Sequence, residues 1–235
     1  MRGRTLLLLV LLSWSIIGYC SQHMSMSGPP KSVLQGISSS AGTDFLTDTF
    51  TDSDNVALVS HTGELGGTWT KHSSYVTGAS SITSNRTRAG NGNNSLAYAS
   101  GAPATVEYDV SATFRCISTT LSSNGCGIAA RIDTAANTMY FVRISSAAGG
   151  TWSMNELVAG SNTVLGATFL QVPVAGQDYA VILKVRDAVK EFWLDGVLRS
   201  SSTNNNITAK GVVGVRTGDQ STSGVHVADI IGTNR

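Results

Sequence analysis

Apolar and polar positions alternate along most of this chain, and the alternation becomes continuous from about Asp44. The longest register covers residues 106–117. Val106, Tyr108, Val110, Ala112, Phe114 and Cys116 fall on one side of it, and Glu107, Asp109, Ser111, Thr113 and Arg115 on the other. Residues two apart share a face only in a strand, so this segment predicts a half-buried strand. After the loop STTLSSNG the apolar side resumes at Cys126, Ile128, Ala130 and Ile132, and the turn DTAANT leads to Tyr140, Val142 and Ile144. Such short links predict a three-stranded antiparallel meander. Farther on, Tyr179, Val181, Leu183 and Val185 alternate with Ala180, Ile182, Lys184 and Arg186. Asp195-Gly196 then stands between Phe192-Trp193-Leu194 and Val197-Leu198, a hairpin signal because a type I′ turn needs positive φ at both central residues. Residues 211–216 and 225–231 predict two closing strands. No long segment carries a helical period, and many short strands joined by Gly, Asn and Ser turns predict an all-β sandwich or barrel.

The first 43 residues obey other rules. Arg2 and Arg4 precede the apolar run LLLLVLLSWSII at 6–17, and Gly18 and Cys20 stand at the minus-three and minus-one positions of a cut before Ser21. This is the pattern of a signal peptide over residues 1–20. The run is shorter than the roughly 20 residues needed to cross a bilayer. Tyr19 argues against the alternative, lipidation of Cys20. Residues 21–43, rich in Ser and Gly with Pro29-Pro30, read as a flexible linker or docking arm. Residues 44–235 are expected to be one domain.

Composition narrows the function classes. Of 235 residues, 41% are hydrophobic and 13% charged, against a usual charged share of about a quarter, and the formal net charge is +1. Disorder is excluded by the apolar content, and no basic footprint for nucleic acid or an anionic membrane exists. Loss of the leader would leave Cys116 and Cys126, an even pair that suggests a disulfide in an exported chain. Asn85, Asn93 and Asn206 head sequons that matter only in a eukaryotic secretory pathway.

Five segments carry a resemblance: DTFTDSDNVALVSHTGELGGTW at 48–69, ITSNRTR, GIAARIDTAANTMYFVRI, EFWLDGVLRS and GVVGVRTG. Their order and spacing resemble the concanavalin A-like lectin/glucanase superfamily, and more narrowly the laminin-G-like jelly-roll modules of secreted bacterial and phage structural proteins. The resemblance covers residues 44–235. It implies a jelly-roll sandwich of two antiparallel sheets, with carbohydrate on a concave face or its rim. It does not settle function, because the fold hosts lectins, glycosidases and structural modules.

Candidate chemistry is sparse. A glycosidase needs two carboxyl groups about 5 to 9 Å apart. Glu107 and Asp109 sit on one strand face about 6.6 Å apart along the chain. The laminarinase-type motif E-x-D-x-x-E, however, has Ala112 in place of its final Glu. Asp48, Asp52, Asp54 and Asn55 offer closely spaced oxygen ligands that suit calcium, although Val56 stands where a calcium loop would need Gly. The four histidines have no zinc-ligand spacing. For sugar binding, Trp193 is expected to face outward, opposite to Phe192 and Leu194. Arg131 and Arg143 are expected on the same polar surface as Glu107, Asp109 and Arg115, while Trp69 is expected in the core.

These readings favour an exported, non-enzymatic module that binds a glycan or cell-surface polysaccharide or adheres to a surface. The alternatives are a structural subunit of a virion, filament or cell-surface assembly, packed against copies of itself, and a glycoside hydrolase. Neither a nucleic-acid partner nor, after leader cleavage, a membrane is expected.

Overall fold

The computed structural model describes residues 42–235 except 92–93, 124, 147–148 and 220–222. The expected leader, nearly all of the arm and the Asn93 sequon lie outside the described residues. Fifteen strands are described. The first five are short: β1 (Asp44–Asp48), β2 (Trp69–Lys71), β3 (Ser80–Ile82), β4 (Thr87–Ala89) and β5 (Ser95–Ala99). Then come β6 (Tyr108–Cys116), β7 (Cys126–Asp133), β8 (Thr138–Ser145), β9 (Thr151–Val158) and β10 (Ser161–Leu170). The series ends with β11 (Asp178–Val185), β12 (Lys190–Leu194), β13 (Val197–Ser202), β14 (Val212–Thr217) and β15 (Val225–Asn234). Two single 3-10 turns, Leu58–Ser60 and Ser73–Tyr75, are the helical elements among the described residues.

The strands form two antiparallel sheets. One has the order β13-β12-β11-β6-β15-β4-β3, with β1 also on β15; the other has the order β10-β9-β8-β7-β14-β5-β2. The expected alternation holds in β6, whose Tyr108, Val110, Ala112, Phe114 and Cys116 all lie in the core between the sheets. Opposite them lie Ile128 and Ala130 of β7, Val142 and Ile144 of β8, and Val213 and Val215 of β14. Trp152 anchors this core, its ring 5.9 Å from Phe114, 5.7 Å from Tyr179 and 6.4 Å from Phe192. Trp69 is buried as expected. The Asp195-Gly196 turn joins β12 to β13 with φ of 51° and 75°, the left-handed values its sequence requires.

Two expectations are corrected. The meander does not run through β6. It comprises β7, β8, β9 and β10, while the chain crosses from one sheet to the other between β6 and β7. Cys116 and Cys126 therefore belong to opposite sheets, and both are free, buried thiols. Facing sheets pack about 10 Å apart, beyond the usual Cα separation of a disulfide.

Candidate functional site

The residues expected to form one sugar-binding surface lie in three places. Asp109, Arg115 and Trp193 project from the outward side of the eight-stranded sheet, and each is held by partners within the chain. Asp109 is buried between Arg186 and Arg235, with both N···O distances 2.6 Å. Arg115 pairs with Asp178 at 2.9 Å. The Trp193 indole donates to Glu191 at 2.8 Å, and Lys184 Nζ sits 4.2 Å from its ring centroid. Glu107 stands just before β6, where its Oε1 accepts from the Asp187 N–H. Ala112, at the position where the glucanase motif needs its last carboxylate, is buried in the core.

Arg131 departs from the expected face, because β7 bulges. Its register on β8 shifts between Ala130 and Asp133, and Arg131 itself has φ 51°. An extra residue in a strand reverses the facing of the side chains beyond it. Ile132 consequently turns outward and joins the second hydrophobic cluster, while Arg131 turns inward and is fully buried. Its guanidinium donates to Ile207 O at 2.6 Å and Val106 O at 2.8 Å, and its N–H donates to the Tyr108 hydroxyl at 2.6 Å. Gly211 makes room for the bulge: a Cβ there would lie 2.5 Å from the Arg131 carbonyl carbon. Arg131 also lines an open cavity of about 420 Å³ with Asp133, Thr138, Ile207 and Lys210.

The three aspartates offered to calcium are occupied otherwise. Asp48 is buried and accepts from Trp69 Nε1 at 2.6 Å, from Phe50 N–H at 2.6 Å and from His61 Nε2 at 3.0 Å. His61 Nδ1 meets Asp52 at 3.0 Å. Asp54 accepts from the Ser84 N–H instead. No group of three or more acidic, His or Cys side chains capable of holding a metal occurs among the described residues. What the acidic run builds is a hydrogen-bonded His–Asp knot packed against Gly63 and Gly67, where a Cβ would meet Asp48 Oδ2 at 2.4 and 2.9 Å.

A different surface brings together two arginines and several aromatic rings: the outward side of the seven-stranded sheet. Across one row, Ser153, Arg143, Gly127, Arg216 and Leu96 are successive cross-strand partners. The next row runs Asn155, Phe141, Ala129, Gly214 and Tyr98. Gly127 puts no side chain between Arg143 and Arg216 in their row, and both guanidiniums lean over Phe141. The Arg216 guanidinium carbon is 4.3 Å from the ring centroid and that of Arg143 is 5.9 Å away. Arg216 also lies 5.8 Å from the centroid of Tyr75, whose ring packs edge-on against His72, as does that of Tyr98. His72 is fixed by the Asp133 carbonyl at 2.8 Å. Burial pushes both arginine pKa values down. Buried Arg143 Nε and Asn155 Oδ1 have no hydrogen-bond partner. Only Arg143 of this group was singled out by sequence. Arg216 could have been found from its polar position beside Val213 and Val215, but its adjacency to Arg143 depends on β14 pairing with β7.

Together these features define a concanavalin A-like jelly-roll fold. The chain resembles the carbohydrate-binding module CBM66 from Bacillus subtilis at 14% identity and a TM-score of 0.53, over 71% of this chain and 93% of that one. It resembles the exoplasmic/lumenal domain of VIP36 in its Ca2+/Man-bound form at 9% identity and a TM-score of 0.54, over 74% and 85%. The carbohydrate recognition domain of Emp46p in its potassium-bound form matches at 10% identity and a TM-score of 0.53, over 80% and 95%. No family model and no curated protein matches the sequence. No helix among the described residues is long and apolar enough to cross a membrane.

Proposed function

We propose that this chain is an exported carbohydrate-binding or surface-adhesion module without hydrolytic activity, and that it binds glycan on the outward side of the seven-stranded sheet. The observation that carries this reading is the convergence of half-buried Tyr75 and Tyr98 with the guanidiniums of Arg143 and Arg216 on one surface, beside a buried, unpartnered Asn155 amide oxygen in the row that holds Phe141 and Tyr98. Flat rings suit the apolar face of a sugar, and the polar groups suit its hydroxyls. The fold is shared with a carbohydrate-binding module and a carbohydrate recognition domain, which supports the same reading. Hydrolysis is disfavoured because Asp109 is neutralised by two arginines and Ala112 cannot supply the second carboxyl group. A glycan array probed with the chain, in calcium and in chelator, tests the proposal, with laminarin turnover as a parallel assay. Binding without turnover is expected; absence of binding to every glycan would sink it.

One observation favours a second reading, self-association as a structural subunit. Leu170, at the end of β10, and Val172 and Val174 just beyond it are each more than half exposed. A concentration-dependent increase in mass by light scattering would support it.

A further inference from the structure

We infer that the outward side of the seven-stranded sheet selects an anionic polysaccharide, with Arg143 and Arg216 clamping a carboxylate or sulfate group. The inference rests on the carbohydrate-binding reading above and names its ligand class. Arg143 and Arg216 flank Gly127 in one cross-strand row, so their Cα atoms are two strand spacings apart, about 10 Å. With no side chain between them, both reach over the same Phe141 ring. Neither has an acidic partner among the described residues. On the other sheet Asp109 pairs with Arg186 and Arg235, Asp178 with Arg115 and Glu191 with Lys184. Among the described residues the Tyr75 hydroxyl acts on Arg143, and Arg216 feels Arg143 and hydrogen-bonds that same hydroxyl, so a ligand anion would share Arg216 with Tyr75.

Two like charges held over one ring repel each other, and a ligand anion between them removes that cost. A guanidinium presents paired N–H donors that match a carboxylate or sulfate bidentately, and such charge-assisted bonds are about twice as strong as neutral ones. Arg143 Nε is a donor without a partner, and Asn155 Oδ1, across β8–β9 from Phe141, is an acceptor without one. The first fits the anion; the second fits a hydroxyl on the same sugar. A nucleic acid is a poorer fit, since the net charge is +1 and, among the described residues, this face of the sheet carries Arg143 and Arg216, where a phosphate backbone calls for a longer basic stripe.

Matched polysaccharide pairs give the test: polygalacturonate against its methyl ester, chondroitin sulfate against desulfated chondroitin, and neutral dextran, with single-stranded DNA as a competing polyanion. Affinities are measured at low and high salt. The acidic member of at least one pair is expected to bind tenfold or more tightly, and which pair responds separates carboxylate from sulfate. Arg143→Gln/Arg216→Gln is expected to lose tenfold or more, and Arg143→Gln or Arg216→Gln alone is expected to weaken binding, whereas Arg115→Gln, which removes one cation from the other sheet, is expected to bind as the parent does. Arg143→Lys/Arg216→Lys keeps the charge and loses the fork, so an intermediate loss is expected. Equal affinity within both pairs in the unaltered chain overturns the clamp whether or not the variants fold. So does undiminished acidic binding by a folded Arg143→Gln/Arg216→Gln, or equally tight DNA. If neutral glycans still bind, the carbohydrate reading survives the loss of the clamp; if nothing in the panel binds, the clamp falls, and the glycan array alone decides the carbohydrate reading.

Discussion

Asp48 Oδ1 and His61 Nε2 meet at 3.0 Å in a buried pair, while the other nitrogen of the same imidazole meets Asp52. Burial pulls the His61 pKa down, but the hydrogen bonds to Asp52 and Asp48 outweigh it and leave the value raised. The folded chain thus keeps a proton that an unfolded imidazole, near 6.5, has lost. That stabilisation is complete below pH 6.5 and disappears as pH climbs through the raised folded value. The hydrogen bond from His61 lowers the Asp52 pKa, so its contribution is present above pH 3.8 and fades as pH falls through the lowered value. Urea midpoints are expected to be highest between roughly pH 4 and 6.5 and to decline toward pH 8. His61→Gln should flatten the alkaline side; an unchanged decline in that variant would contradict the assignment.

Asp48 also holds Trp69 and the Phe50 amide, which makes it the anchor of the first turn. Asp48→Ala leaves three buried donors facing nothing. A loss of about 3–5 kcal/mol in denaturant unfolding is expected, in the range of a broken buried ion pair. Calcium is expected to have no effect on the melting of the unaltered chain through these residues.

Lys190 is fully buried at the start of β12, where Nζ donates to Arg186 O at 2.7 Å and Asp187 O at 3.2 Å. Burial, with Arg131 nearby, pushes its pKa down from 10.5 to about 8. Between those values the unfolded chain holds a proton that the folded chain has released, so this residue makes stability rise with pH across that window. Lys190→Met should abolish the rise in urea midpoint between pH 8 and 10, a range well above the acidic optimum set by His61.

The Cys116 and Cys126 thiols are buried and free, and burial pushes both pKa values up. Neither is a ready nucleophile or an easily oxidised group. Alkylation followed by peptide mapping should find both unmodified in the folded chain and both modified in urea. Adding a reductant should leave the melting temperature unchanged; a drop would mean that a disulfide supports the fold.

Arg131→Met removes the donors that satisfy the Ile207 and Val106 carbonyls inside the bulge. Two bare carbonyls are expected to cost on the order of 3 kcal/mol, measured by equilibrium unfolding. Tyr108→Phe, which loses one hydroxyl bridging the Arg131 N–H and the Lys210 carbonyl, should cost about 1–3 kcal/mol.

By itself the sequence determined the fold class, the inward side of β6, β11 and β12, and the turn at Asp195-Gly196. Each of these comes from contacts or dihedrals local in the chain. The period-2 pattern says which side of a strand is apolar whatever its neighbour is, and Asp-Gly meets the demands of its turn alone. It did not determine strand order, and that is where the site expectations parted from the structure. A crossing between sheets and a continuation of a meander have the same alternation, so Cys116 and Cys126 read as hairpin neighbours although they belong to opposite sheets. A bulge leaves the composition of β7 unchanged and reverses Arg131, because one extra residue moves every later side chain to the other face. The juxtaposition of Arg143 with Arg216 exists only because β7 lies between β8 and β14 with Gly127 in the row they share, a relationship among residues 16 and 73 positions apart that only tertiary packing creates.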